Sequence, residues 1–225
     1  MDHAESGSPV PDPALLIDRY LPLFDVTARE HLVIEAPLEV TWRALCELDL
    51  MQVHTPLMDA AMRVRGLPAA IAGAFGRSQP PEEIPPKLTL QGDGPGLPGW
   101  LPLGDNEPQE LAFGAIGRFW QPEIDWYDID QLVPEGAEGF AAFDQPAWGR
   151  IAAAFTLRPY GEHRTLASYE ARTATPDPDS ASRFRRYWRV VHPFVGHIMR
   201  ATLDQLRADA ERRARTVSPA DAGIG

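Results

Sequence analysis

The chain has 225 residues, of which 44% are hydrophobic, 24% charged and 9% aromatic. These fractions predict a globular protein with a buried core and exclude a disordered or fibrous chain. Acidic residues outnumber basic ones 32 to 21, for a net charge of −11. That balance argues against nucleic acid or an anionic membrane as the main partner.

The sequence also bears on the compartment of the protein. Its single cysteine, Cys46, cannot form a disulfide within the chain. The acidic, proline-rich start lacks the basic and apolar runs of a signal peptide, and no apolar run approaches the roughly 20 residues of a membrane helix. We therefore expect a cytoplasmic, soluble protein in which Cys46 is a small core residue and not a nucleophile.

The first half of the chain predicts a tail, a strand and two short helices. Residues 1–21 are expected to be a flexible tail. Residues 24–35 alternate apolar and polar side chains, the pattern of a half-buried strand. Pro37 and Glu39 then favour the start of a helix, and a second short helix is predicted over about 56–65.

The middle of the chain predicts a loop-rich segment followed by strands. Residues 76–99 are rich in proline and glycine, so we interpret them as an insertion or flap beside the core. Strands are predicted over 100–106, 110–120, 148–158 and 164–174, with a helical turn around 140–143 and a hairpin turn at 160–163.

The last predicted element is a long amphipathic helix. Asp177 and Pro178 supply an N-cap and a first-turn proline, and helical periodicity continues to about residue 213, followed by a tail over 214–225. Pro193 lies within it and is expected to bend it. One apolar face contains Phe184, Trp188, Val191, Val195, Ile198, Met199, Thr202 and Leu206.

This order of elements predicts an α+β fold in which a curved antiparallel sheet grips a long C-terminal helix. A helix of about 35 residues is roughly 50 Å long, enough to cross such a sheet and leave a cavity beneath it. No cofactor or metal is predicted, because His192 and His197 lie about 140° apart on a helix and the acidic residues Asp125, Asp128 and Asp130 lack calcium-loop spacing.

Two segments carry a family resemblance: APLEVTWRAL after the first strand, and FRRYWRVVHPFVGHIMRATLDQLRADAE at the end. They resemble the helix-grip superfamily of START-related and birch-pollen-allergen-like domains, often labelled polyketide cyclase/dehydrase. The resemblance covers about residues 22–212 and implies one domain over 22–213. It also implies binding of hydrophobic small molecules, sometimes with cyclase or dehydratase chemistry.

The candidate binding residues fall into an apolar and a polar set. Core packing is the default role of Phe113, Phe155 and Trp188, but these aromatic side chains could also line a cavity. The helix would add an apolar wall and one histidine at the margin of the apolar face. That part of the site contains Val191, His192, Val195 and Met199.

The polar set depends on which strand faces point inward. Glu30 is in phase with apolar residues of the first strand, and Glu170 and Arg172 share one face of the last strand. If both faces point inward, Arg172 would neutralise the carboxylates and bind the polar end of a ligand. In the alternative phase Tyr169 points inward, and Glu170 and Arg172 form a surface pair.

Three functions remain open from the sequence. The favoured one is binding of a hydrophobic small molecule between sheet and helix. The second is a cyclase or dehydratase that uses Glu170, His192 or Glu30 as a general base. The third is a protein-interaction domain without a cavity. The oligomeric state is not predicted.

Overall fold

A computed structural model describes residues 15–49, 90, 99–121, 123–132 and 135–217. The predicted helix over 56–65 and nearly all of the 76–99 segment lie outside these residues. The structure contains five strands, namely β1 (Val26–Ile34), β2 (Trp100–Asn106), β3 (Glu110–Gly117), β4 (Gly149–Pro159) and β5 (Thr165–Ala174). Its α-helices in the described ranges are α1 (Leu16–Tyr20), α2 (Leu38–Cys46), α3 (Gly136–Ala142) and α4 (Pro178–Val217).

The five strands form one antiparallel sheet in the order β1-β5-β4-β3-β2. The first strand, β1, pairs along its whole length with the last strand, β5, and so forms one edge of the sheet. Gly161 makes the tight turn between β4 and β5, where its positive φ of 78° suits glycine. The long helix α4 packs along β1 and α2.

This architecture is the predicted helix-grip fold, of the α+β class. The strand alternation and the long C-terminal helix were both readable from the sequence, and the structure confirms them. Asp177 caps α4 as predicted, since its Oδ1 accepts a hydrogen bond from the Ser180 backbone N–H at 2.8 Å. This hydrogen bond and a second one, donated by the Ala147 backbone N–H, lower the pKa of Asp177 to about 2.

Apolar side chains cover both faces of the sheet. On the α4 side, the core contains Ile34, Trp42, Leu45, Phe113, Phe155, Leu157, Leu203 and Leu206. On the opposite side, a second core contains Ile17, Leu21, Leu101, Leu103, Ile116 and Phe140. β3 is buried along its whole length, because both of its faces are covered.

The predicted N-terminal tail over residues 1–21 wrongly includes the helix α1. Residues 15–21 were assigned to it, but α1 lies on the second core with Ile17 and Leu21 almost fully buried. The reason is that β3 carries small and apolar residues on this face as well, and they need a cover. Within the described ranges, no helix is long and apolar enough to cross a membrane.

Candidate ligand-binding site

The apolar face of α4 is covered unevenly along its length. Phe184, at one end, is 2% exposed, and Met199, four turns further on, is 3% exposed. Between them, Trp188, Val191 and Val195 are only half-buried. The stripe is therefore less covered between Phe184 and Met199 than at these two residues.

The sheet is also incompletely covered where it meets this part of α4. Glu30 of β1 is the register partner of Tyr169 of β5, and both are half-buried. A Cβ atom at Gly196 would lie 3.4 Å from Glu30 Oε1, so the middle of α4 passes directly over Glu30. We call the partly covered surface the half-covered stretch; it consists of Glu30, Tyr169, Ala171, Trp188, Val191 and Val195.

The charge of Glu30 is neutralised from α4. Arg200 Nη2 lies 2.8 Å from Glu30 Oε1, and its Nε donates to Oε2 at 3.3 Å. This two-pronged ion pair uses both carboxylate oxygens. Glu30 is therefore committed to a structural contact in this structure and ties α4 to β1.

A row of aromatic rings crosses the sheet beneath this surface. The ring of Trp100 lies 5.5 Å from that of Phe113, which lies 6.4 Å from Phe155. Phe155 stacks on Tyr169 at 4.1 Å with an interplanar angle of 15°. The row extends from β2 to β5 and ends at Tyr169, beside Glu30. Phe113 and Phe155 are fully buried, so the row belongs to the core and holds the ring of Tyr169 in place.

Tyr169 is the polar end of that row. Protein surrounds its phenol closely enough that burial raises its pKa to about 12, yet the side chain keeps accessible surface. Its hydroxyl makes no hydrogen bond to any residue that the structure describes. A phenol in this setting stays neutral at physiological pH and keeps its O–H available as a donor.

Of the two phases that the sequence left open for the last strand, the one that points Glu170 and Arg172 toward α4 is wrong. In the register of β1 and β5, Glu170 pairs with Arg29 while Glu30 pairs with Tyr169, so Glu170 and Arg172 lie on the face away from α4. The alternative phase, with Tyr169 inward, is the one that forms. The reason is that successive side chains of a strand alternate, and α1 covers the second face.

Glu170 and Arg172 are nevertheless buried, at 6% and 5% exposure, so they are not a surface pair either. Arg172 Nε donates to Glu170 Oε1 at 2.8 Å, and its Nη1 contacts Asp18 Oδ1 at 2.7 Å. Nη1 also donates to the carbonyls of Ile17 and Leu21 at the end of α1. Arg172 therefore anchors α1 to the sheet.

A second buried carboxylate anchors the other end of α1. Glu110 Oε1 accepts the Leu16 backbone N–H at 2.8 Å, and Asn106 donates to Oε2 at 3.2 Å. Burial raises the pKa of Glu110, because these neutral donors offset only part of the cost of a buried charge. For Glu170, burial also acts to raise the pKa, but hydrogen bonds from Arg29 and Arg172 outweigh it and lower the pKa.

The remaining residues that the sequence singled out occupy three kinds of position. Phe113, Phe155 and Met199 are fully buried core residues beneath the half-covered stretch. His192 is exposed and its ring contacts Trp188 at 5.2 Å, so it lies at the rim. Cys46 is half-buried, and burial raises the pKa of its thiol to about 11, which keeps it protonated.

Sequence reasoning missed the contributions of Arg200 and Gly196, and it named Tyr169 only as part of the alternative phase. The signal for Tyr169 was the alternation Ala167, Tyr169, Ala171, in which small residues flank one large ring. No sequence signal marked Arg200, because its pairing with Glu30 depends on how α4 crosses β1.

Comparison with known proteins gives similarity in structure alone. No family model matches the chain, and no curated protein sequence matches it. A hypothetical protein of Helicobacter pylori is similar over 86% of this chain and 93% of its own, with 9% identity and a TM-score of 0.41. The Zhui aromatase/cyclase of a Streptomyces species is similar over 86% and 98%, with 14% identity and a TM-score of 0.37.

A truncated norcoclaurine synthase of Thalictrum flavum is similar over 81% of this chain and 91% of its own, with 8% identity and a TM-score of 0.35. The fold assignment depends on the chain's own architecture, which is the five-stranded antiparallel sheet packed on α4.

Proposed function

We propose that the protein binds a hydrophobic small molecule between the sheet and the middle of α4. The observation that carries the proposal is the half-covered stretch between Phe184 and Met199, where apolar side chains are buried at both ends and not in the middle. Partly covered apolar surface of this kind binds a ligand when binding removes it from water, at about 25 cal/mol per Å² of buried area.

Binding without catalysis is the better-supported form of this function. Of the three groups considered as a general base, Glu30 is held by Arg200 and His192 is exposed. Glu170 lies on the other face of the sheet, held by two arginines. A base must reach the reacting proton, whereas Glu30 is committed to Arg200, Glu170 lies on the far face and His192 lies at the exposed rim. The enzyme and protein-interaction alternatives stay predictions.

Native mass spectrometry of the protein purified from its own host tests the proposal. We expect a second mass, heavier than the bare chain by one small molecule, that disappears under denaturing conditions. A bare chain at every stage of a gentle purification would count against a resident ligand.

A matched pair of variants locates the bound molecule. Val195→Trp places a large ring in the half-covered stretch, whereas Val190→Trp places the same ring on the outside of α4, where the valine is 68% exposed. We expect Val195→Trp to lose the extra mass and Val190→Trp to keep it. Equal loss in both variants would place the molecule elsewhere.

A further inference from the structure

The half-covered stretch contains two kinds of polar group. Glu30 and Arg200 neutralise one another through two contacts, so neither has a free charge to offer a ligand. The strand residues that face α4 include no arginine or lysine in the described strands. An anionic ligand would therefore lose hydration without gaining an ion pair from the described strands, which is costly where the surface is partly buried.

Tyr169 is different, because its hydroxyl has a donor to offer. The ring is held by its stack on Phe155, and Phe155 is fully buried in the core. The hydroxyl therefore projects from a rigid base and has no hydrogen-bond partner among the described residues. A donor fixed in this way can orient a ligand without first giving up another bond.

We propose that Tyr169 selects the ligand by donating a hydrogen bond to an acceptor oxygen on a neutral compound held in the half-covered stretch. This inference rests on the proposed function, and it adds the class of ligand and the residue that sets specificity. The neutral charge follows from the closed ion pair of Glu30 and Arg200. The acceptor requirement follows from the Tyr169 O–H, which has no hydrogen-bond partner among the described residues.

Two probes that differ in one carbonyl group separate the hydrogen bond from Tyr169 from the rest of the binding energy. Fluorene and 9-fluorenone share a flat three-ring frame, and 9-fluorenone alone carries an acceptor oxygen. The dissociation constants of both are measured by quenching of intrinsic fluorescence, with the wild type, Tyr169→Phe and the control Tyr160→Phe. Tyr160 lies in the exposed β4–β5 turn, so its substitution tests the loss of a hydroxyl remote from the site.

We expect Tyr169→Phe to weaken 9-fluorenone binding about three- to tenfold and to leave fluorene binding unchanged, because one neutral hydrogen bond is lost. Tyr160→Phe should change neither constant. The carbonyl stretching frequency of bound 9-fluorenone should be lower in the wild type than in Tyr169→Phe, which a purely structural role of Tyr169 would not produce. We also expect 9-fluorenone-2-carboxylate to bind more weakly than 9-fluorenone.

The outcomes distinguish the two proposals. If both probes bind and Tyr169→Phe affects them equally or not at all, the role of Tyr169 is wrong and the proposed function stands. If the carboxylate binds more tightly than the ketone, the requirement for a neutral ligand is wrong. If neither fluorene nor 9-fluorenone binds the wild type, the proposed function fails together with the inference.

Discussion

The face of the sheet under α1 buries charges, whereas the face under α4 leaves apolar surface partly uncovered. Under α1, Arg172 and Glu170 are almost completely enclosed and satisfy one another and the end of α1. Under α4, Val191 and Val195 lie in an apolar stripe that the sheet does not fully cover. Buried charges that are all paired point to stability, and uncovered apolar surface points to binding.

This difference reverses the simplest expectation about charged residues in strands. A buried Glu–Arg pair suggests a site because ionisable groups at active sites are often perturbed. Here the pair holds the N-terminal segment in place, with Asp18 as its third member. The candidate site contains a neutral donor, the hydroxyl of Tyr169, instead of a buried charge. The lesson is that the partners of a buried charge decide its role.

The largest expected effect is on the α1 face. Arg172→Met leaves the Glu170 carboxylate buried with one cation fewer and removes the bonds to α1, so we expect a loss of about 3 kcal/mol in the free energy of unfolding. Arg29→Met removes the other cation on Glu170 from a side chain that is 49% exposed, and should cost at most about 1 kcal/mol. Denaturant unfolding measures both.

Binding of 9-fluorenone should be unchanged in Arg172→Met at temperatures where the variant is folded, because Arg172 faces away from α4. Weakened binding in a folded Arg172→Met protein would contradict the separation of the two faces. So would a cost for Arg29→Met equal to that of Arg172→Met.

Two alanine substitutions on α4 test the uneven cover of its apolar stripe. Met199→Ala removes a fully buried side chain and should cost about 2–4 kcal/mol in the free energy of unfolding. Val195→Ala, one turn earlier, removes a half-buried one and should cost less than about 1 kcal/mol. Thermal and denaturant unfolding measure both, and equal costs would show that the stripe is closed throughout.

The smallest expected effect compares two buried carboxylates on the α1 face. Near neutral pH, Glu170→Gln should destabilise the protein by about 1–2 kcal/mol, because two arginines lose their counter-charge. Glu110→Gln should leave the free energy of unfolding unchanged or slightly raise it, since burial raises the pKa of Glu110 and Gln can still accept the Leu16 N–H.

The pH dependence of the two variants should have opposite signs. The pKa of Glu170 is lowered by folding, so its stabilisation is present above the unfolded pKa, about 4.3, and is lost as pH falls through the folded pKa. The deficit of Glu170→Gln should therefore close in acid. The pKa of Glu110 is raised, so the wild type should gain stability relative to Glu110→Gln as pH falls. Parallel pH profiles would contradict this assignment.

Much of the fold could be predicted from sequence because its signals are local. Alternation located the strands, and Asp177 and Pro178 located the start of α4. The phase of β5 could not be fixed, because Glu170 and Tyr169 alternate along a strand that is covered on both faces. The docking of α1 was missed, since five residues show no periodicity and their anchor, Arg172, lies 150 residues further along the chain.

The most direct test of the account maps a bound probe onto the two faces. In a titration with 9-fluorenone followed by two-dimensional NMR, we expect saturable shifts of the methyl groups of Val191 and Val195 and of the amide of Tyr169. The methyl groups of Ile17 and Leu101, on the other face, should not shift. Saturable shifts confined to Ile17 and Leu101, or no saturable shifts at Val191 and Val195, would contradict a binding site under α4.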